Sequence, residues 1–212
     1  GEDPRVVTQR ELEQRLAAGL DPARTHFLMI QCVGSRDEPH NYCSRICCQD
    51  AVKNAIAIKE KAPNAQVTIL YRDIRTYGLR EDYYRRAREL GVLFVHFEVD
   101  RKPQVAPHGD RLQVTAFDPV LLQDVVFHPH LVVLSTGLRP HPSSEDIGRQ
   151  YKLTRNADGY FLEAHVKLRP VDFPSEGLYV AGLAHAPKNL AETVSQALAA
   201  AGRAGVLLSH DR

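Results

Sequence analysis

The sequence lacks a long apolar run, an excess of either charge and any cysteine after residue 48. No apolar stretch reaches the roughly 18–20 residues that a membrane span needs. The 27 basic and 26 acidic residues nearly cancel, which argues against the strongly basic face of a nucleic-acid-binding protein. No secretory leader is visible. These absences predict a globular, cytoplasmic protein without a membrane span and without a nucleic-acid partner.

Several catalytic and cofactor motifs are also missing. The chain contains no G-x-G-x-x-G phosphate turn, no Cys-x2-Cys pair, no H-E-x-x-H motif and no Ser-His-Asp spacing. A nicotinamide-dependent disulfide reductase would need the first two, so this interpretation has no motif to support it. The chain begins Gly-Glu-Asp-Pro without a methionine, from which we expect a processed, trimmed or recombinant start.

All four cysteines lie within residues 32–48, in the pattern Cys-x10-Cys-x3-Cys-Cys. Four thiolates so close together require a shared positive centre, as in iron–sulfur clusters and structural zinc sites. The spacing favours iron–sulfur, because zinc ribbons use two separated Cys-x2-Cys pairs. Zinc, two disulfides and idle buried thiols stay open as alternatives. The residues of this site are Cys32, Cys43, Cys47 and Cys48.

The first half of the chain alternates strand and helix patterns. Apolar runs of strand length end in turns, and charged amphipathic stretches separate them. Such alternation predicts right-handed crossovers and a parallel sheet. The expected helices are residues 9–18, 44–62 and 81–90, and the expected strands are 26–33, 66–71 and 92–97.

The pattern changes beyond residue 103. Between residues 103 and 126 the apolar residues alternate, which predicts antiparallel strands that include Val120 to Val126, and a buried strand follows at 131–135. Residues 138–176 are proline-rich, which indicates irregular structure, and a short strand at 178–181 precedes a helix at 189–208. We expect an N-terminal helix and linker (1–25), a Rossmann-like domain (26–140) and a C-terminal domain (141–212).

The first strand ends where a Rossmann fold would carry its phosphate turn, and here the cysteine segment takes that place. The backbone N–H groups near Cys47 to Asp50 would then point toward a negatively charged cluster. Near the other end of the chain, the N-terminus of the last helix would face the negative edge of a reduced flavin, with Lys188 as a partner. An exposed loop lysine is the alternative interpretation.

These residues resemble the A subunit of heterodisulfide reductase. The resemblance rests on MIQCVGSRDEPHNYCSRICCQD (29–50), VVLSTGLRP (132–140) and GLYVAGLAHAPKNLAETV (177–194), and it extends over about residues 6–208. That family contains iron–sulfur flavoproteins with a thioredoxin-reductase-like core.

The resemblance implies an α/β fold: a Rossmann-like parallel sheet with an antiparallel meander, the counterpart of a nicotinamide domain, followed by the C-terminal half of an FAD-binding domain. It implies one [4Fe–4S] cluster on the four cysteines and FAD near the last helix. Leu183 stands where many flavoprotein disulfide reductases have an aspartate. The implied flavin contacts are Gly182, His185, Lys188, Glu192 and Thr193.

The resemblance therefore implies an electron-transfer module that relays electrons between FAD and the cluster, and no residue need act as acid, base or nucleophile. The chain would be part of an oxidoreductase, inactive alone. Its partners would be other electron-transfer subunits and the missing half of the FAD domain, in cis or in trans. The alternative is a scaffold domain in which zinc or an empty thiol site stabilises the loop.

Overall fold

The computed structural model describes residues 3–209. The chain divides into two compact units, one ending at Gly137 and the other starting at Leu138. Within the described part, no helix is long and apolar enough to cross a membrane.

The first unit is built on a five-stranded parallel sheet. Its strands are β1 (Val6–Thr8), β2 (His26–Val33), β3 (Gln66–Tyr71), β4 (Leu93–His96) and β8 (Leu131–Thr136); its helices are α1 (Gln9–Ala17), α2 (Cys47–Lys61) and α3 (Glu81–Glu89). The strand order is β1-β8-β2-β3-β4. This confirms the predicted parallel sheet, and the bounds of β2 and β3 are those expected from the apolar runs.

The central strand β2 is buried on both of its faces. Phe27 and Met29 pack into a core that includes Val52 and Ala55 of α2. Since side chains alternate along a strand, the next residues belong to the opposite face. Leu28 and Ile30 pack there into a second core that includes Leu112 and Val114. This double burial explains why the sequence of β2 is a continuous apolar run.

An antiparallel meander covers that second face. It consists of β5 (Gln104–His108), β6 (Arg111–Asp118) and β7 (Gln123–Phe127). The predicted strand starting at Val120 was wrong at its beginning. Residues 120–122 form the turn between β6 and β7, because the carboxylate of Asp118 accepts the backbone N–H groups of Val120 and Leu121 at 2.8 and 3.1 Å.

The N-terminal segment, which was expected to be a helix and linker, also contributes an edge strand to the sheet. Val6 to Thr8 pair with β8 in parallel, with Val6 opposite Val132. Thr8 and Glu11 then form a capping box, in which each side chain accepts the other residue's backbone N–H and starts α1. Three residues are too few for an alternating pattern, so no pattern in the sequence marks this edge strand.

The second unit contains α4 (Ser144–Tyr151) and α5 (Leu190–Leu208). The strand expected at 178–181 was wrong: its one ladder contact is an isolated bridge between Asp172 and Tyr179. Helix α4 was missed, because its eight residues lie in a segment interrupted by Pro140 and Pro142. The helix predicted at 189–208 is confirmed as α5, and none of its residues is buried.

Candidate functional site

The cysteine loop (residues 34–46) leaves the carboxyl end of β2 and leads into α2. Cys32 lies near the end of β2, Cys43 lies in the loop, and Cys47 and Cys48 open the helix. This is the edge of a parallel sheet where α/β proteins place their ligands. The helix starts without a side-chain cap at Ile46, so the positive end of its dipole faces the cysteines unshielded by a cap.

All four cysteines are free thiols, which removes the two-disulfide alternative for this structure. Cys32, Cys47 and Cys48 are buried, and Cys43 is partly buried. Burial, reinforced by nearby Cys48, raises the pKa of Cys32. A hydrogen bond to Cys48, together with burial, raises the pKa of Cys47, and the same bond lowers the pKa of Cys48. The sulfur atoms are thus near enough to influence one another's charge.

The four sulfurs do not form a finished ligand set. Among residues 3–209, no group of three or more Cys, His, Asp or Glu side chains has an arrangement that could hold a metal ion. The donor chemistry nevertheless suits a thiolate cluster. The backbone N–H of Arg45 points to Cys43 Sγ at 3.3 Å, and Arg36 Nη1 lies 3.9 Å from Cys32 Sγ. Such donors stabilise the negative charge on cluster sulfurs.

The backbone of this region is strained. Cys32, Arg36 and Arg45 have φ angles of 61°, 63° and 63°, in the left-handed region that residues other than glycine avoid. Each such residue costs about 1–2 kcal/mol, and strain of this kind concentrates at functional sites. Three of them within fourteen residues, one at the end of β2 and two in the loop, distinguish this region from an ordinary connection.

Hydrogen bonds hold the strained loop in place. The Arg36 N–H donates to the carbonyls of His40 and Tyr42 at 2.9 and 3.1 Å, which closes the loop on itself. The Arg36 guanidinium pairs with Asp73 at 2.6 Å. Arg72 donates to the Arg36 carbonyl at 3.0 Å. The loop is therefore tied to the segment that follows β3.

Gln31 is the exceptional polar residue of this region. It directly precedes Cys32, and it is buried, with 1 % exposure. Neither its Nε2 nor its Oε1 has a hydrogen-bond partner within residues 3–209. An unpartnered buried amide costs about 1–3 kcal/mol. By comparison, the buried amide of Asn54 on α2 donates to Gln9 Oε1 at 2.8 Å. Gln31 and Cys32 line one cavity, and an amide without a partner at such a cavity fits a site that receives a further group.

The second candidate site is the Gly182 turn (residues 182–189), which joins a 3-10 helix at Gly182–Ala184 to α5. Gly182 has a φ of +68°, and a Cβ there would lie 3.2 Å from Thr193 Cγ2. Asn189 caps α5, and the carboxylate of Glu192 accepts the Asn189 N–H at 2.9 Å. The five residues that the resemblance implies as flavin contacts therefore lie on one turn and the first turn of one helix.

Lys188 is held inside this turn. Its side chain is 9 % exposed, and its Nζ lies 2.9 Å from the Gly182 carbonyl, 3.1 Å from the Ala186 carbonyl and 3.4 Å from His185 Nδ1. In this arrangement the Lys188 ammonium bridges two backbone carbonyls of the turn. Its burial shows that the alternative interpretation, an exposed loop lysine, was wrong. A contact between Lys188 and a flavin stays a prediction.

His185 connects the turn to a residue that the sequence did not reveal. Its Nε2 lies 2.7 Å from the Glu163 carboxylate, and its Nδ1 lies 2.7 Å from Gln196 Nε2. Burial acts to raise the pKa of Glu163, but hydrogen bonds from its own backbone and from His185 bring it below the usual value. Glu163 lies 22 residues upstream in an irregular segment, without a motif.

Gln196 was also missed, although a signal existed. It lies three residues after Thr193 and four after Glu192, so it shares their helix face. Its Oε1 accepts the Gly182 N–H at 2.9 Å.

Comparison with known proteins identifies the chain's relatives, although no family model matches it. It is 40 % identical to the A subunit of the ferredoxin/F420H2-dependent CoB-CoM heterodisulfide reductase of Methanosarcina acetivorans, over 98 % of this chain and 28 % of that protein. It is 41 % identical to the iron-sulfur A subunit of the CoB–CoM heterodisulfide reductase of Methanocaldococcus jannaschii, over 97 % and 33 % respectively. The chain is a homologue of one segment of the heterodisulfide reductase A subunit. It spans about a third of the length of the curated relatives it matches.

Solved structures show the same fold as this heterodisulfide reductase segment. Thioredoxin reductase from T. acidophilum superimposes with a TM-score of 0.62 at 15 % identity, over 97 % of this chain and 58 % of that one. L-Lysine 6-monooxygenase from Pseudomonas syringae gives 0.57 at 16 % identity, over 98 % and 58 %. At these identities the likeness concerns the fold alone, and it confirms the predicted α/β class.

We predict opposite effects from two glycine substitutions. Gly182→Ala should lower the free energy of unfolding of the second unit by about 1–2 kcal/mol, because it forces a side chain into the left-handed region and against Thr193. Gly205→Ala lies on α5 with open space around it. This substitution should raise the free energy of unfolding by about 0.5–1 kcal/mol, because alanine favours a helix more than glycine does. Urea denaturation of the two variants beside the parent measures both. A neutral Gly182→Ala would show that the turn is not constrained as described.

Removing the buried ammonium should loosen the Gly182 turn. Lys188→Met loses charged hydrogen bonds to two carbonyls and should cost about 2 kcal/mol, seen as faster hydrogen exchange of amides 182–189. Lys167→Met, at an exposed lysine of the same unit, should leave exchange there unchanged. Equal protection of the turn in both variants would contradict the positioning role of Lys188.

Proposed function

We propose that this chain is the cluster-bearing part of an iron–sulfur flavoprotein oxidoreductase, an electron-transfer module like the A subunit of heterodisulfide reductase. Cys32, Cys43, Cys47 and Cys48 would hold one [4Fe–4S] cluster, and the Gly182 turn would lie against FAD. The observation that carries the proposal is the set of four free thiols on and beside one strained loop, with hydrogen-bond donors near the sulfurs of Cys32 and Cys43.

The names of the relatives support the iron–sulfur part of the proposal. One relative is called an iron-sulfur subunit, and iron–sulfur clusters are held by cysteine thiolates, usually four. When bound, the cluster would supply a site that takes up and releases single electrons. The chain's own contribution is to bury the thiols, to offer N–H donors to sulfur, and to keep the Arg36 guanidinium beside Cys32. These features set the potential without any acid, base or nucleophile.

The flavin part of the proposal rests on the second unit. Within the Gly182 turn, Lys188 Nζ donates to the Gly182 and Ala186 carbonyls, and α5 begins with a capping box at Asn189. Helix α5 exposes apolar side chains, with Leu190, Leu198 and Leu208 at 77, 68 and 83 %. A polypeptide that completes the FAD domain, in cis or in trans, would cover such a helix. We expect FAD affinity to require that second half, and other electron-transfer subunits to be the further partners.

Metal content tests the proposal. Anaerobic reconstitution of the chain should yield about four irons and four sulfides per chain, with a broad visible band that bleaches on reduction. Cys→Ser replacement at each of the four positions should lower bound iron, because every thiolate is a ligand. Ser195→Ala on α5 serves as a control that leaves the iron content unchanged.

The outcomes of this experiment discriminate between the two functions. Zinc with a featureless visible spectrum would make the loop a structural clip and favour the scaffold alternative. Full iron content after loss of any one of the four cysteines would show that this thiol is not a ligand and contradict the proposed set.

A further inference from the structure

The buried side-chain amide of Gln31 has no hydrogen-bond partner in the part of the chain that the structure describes. This holds for both of its polar atoms, Nε2 and Oε1, and the residue is 1 % exposed. Buried amides in native structures almost always find a hydrogen-bond partner. Two other buried amides of the first unit follow this rule: Gln9 Nε2 donates to Ser135 Oγ at 3.1 Å, and Asn54 donates to Gln9.

Gln31 lies where β2 loses its regular pairing. The register of β2 against β8 shifts between Ile30 and Val33, and Cys32 has a φ angle of 61°, so the alternation of a regular strand does not extend to Gln31. Gln31 and Cys32 line the same cavity, together with Gly34 and Arg72. Gln31 lies at the carboxyl end of the strand, next to Cys32. In a strand–helix unit this is the end where the following helix begins, and α2 begins with Cys47 and Cys48.

We propose that Gln31 is a positioning residue for the iron–sulfur cluster, and that its Nε2 donates a hydrogen bond to a cluster or cysteine sulfur. This inference rests on the proposed function, because it assigns the orphaned amide to the group that the four thiolates would hold. A hydrogen bond to sulfur favours the reduced, more negative state of a cluster, so it raises the reduction potential. The bond also supplies the partner that Gln31 lacks among the described residues.

The test compares Gln31→Met with the parent chain, both reconstituted anaerobically. Methionine keeps the length of the side chain and removes the N–H donor. We expect the reduction equilibrium of the cluster to fall about tenfold, equivalent to about 59 mV for a one-electron couple, in a potentiometric titration followed by EPR. Gln66→Met, at an exposed glutamine that opens β3, should leave the potential unchanged.

A second readout does not depend on the potential. With the reduced cluster, pulsed EPR should detect hyperfine couplings to exchangeable protons in the parent and in Gln66→Met. One of these couplings should be missing in Gln31→Met, while those from the Arg36 and Arg45 donors remain. In the metal-free chain the same substitution should raise the urea midpoint, because it removes an unpartnered buried polar group. A merely structural glutamine would lower it.

These experiments distinguish a failure of the Gln31 assignment from a failure of the proposed function. If the parent binds iron and Gln31→Met has the same potential and the same proton coupling, the role of Gln31 is refuted and the proposed function stands. If the parent binds no iron under any anaerobic condition, the proposed function itself fails, and the assignment of Gln31 fails with it.

Discussion

The parallel pairing of β2 between β3 and β8 is the constraint on which the first unit depends. It buries β2 on both faces, against α2 on one side and the meander on the other. Cys32 is thereby fixed at one end of the cysteine loop. Because α2 packs on the same sheet, Cys47 and Cys48 are fixed at the other end. Two rigid elements therefore hold three of the four thiols, and the loop between them has to bring only Cys43 into place.

The strained loop and the orphaned amide have a common explanation. Left-handed backbone at Cys32, Arg36 and Arg45 opposes folding, and so does a buried Gln31 without a partner. Such costs persist where a site is organised for something other than stability. A cluster bound by four thiolates would return this energy through metal–sulfur bonds and through hydrogen bonds to sulfur. Under the proposed function, the cluster would therefore offset the cost of this strained region.

The sequence predicted the first unit well because its elements are long and strongly patterned. The runs that form β2 and β3 were predicted with their observed bounds, and α2 within three residues. The edge strand β1 was missed because three residues carry no period. In the second unit, the apolar residues near 178–181 resemble a strand, but a single bridge is all that forms. Short apolar runs do not specify pairing unless a partner strand is available.

In the candidate sites, too, the sequence predicted what a local pattern shows and missed contacts between distant residues. The spacing of the cysteines alone indicated four related thiols, because a metal site can be recognised from the type of its ligand residues and their separation in the sequence. The Glu163–His185 contact joins residues far apart in the sequence, and it depends on the course of an irregular segment. The hydrogen bonds of Lys188 to the Gly182 and Ala186 carbonyls could not be predicted either. They depend on which backbone carbonyls the folded turn directs at the lysine, and the sequence does not show this.

One spectrum addresses the central claim most directly. The Mössbauer spectrum of the chain, reconstituted anaerobically with isotopically enriched iron, reports the nuclearity of the iron independently of any assumption about its ligands. The account predicts a single population with the signature of a diamagnetic [4Fe–4S] cluster, absent when the four cysteines are replaced by serine. Mononuclear iron in a four-sulfur environment, or no specific iron at all, would contradict it.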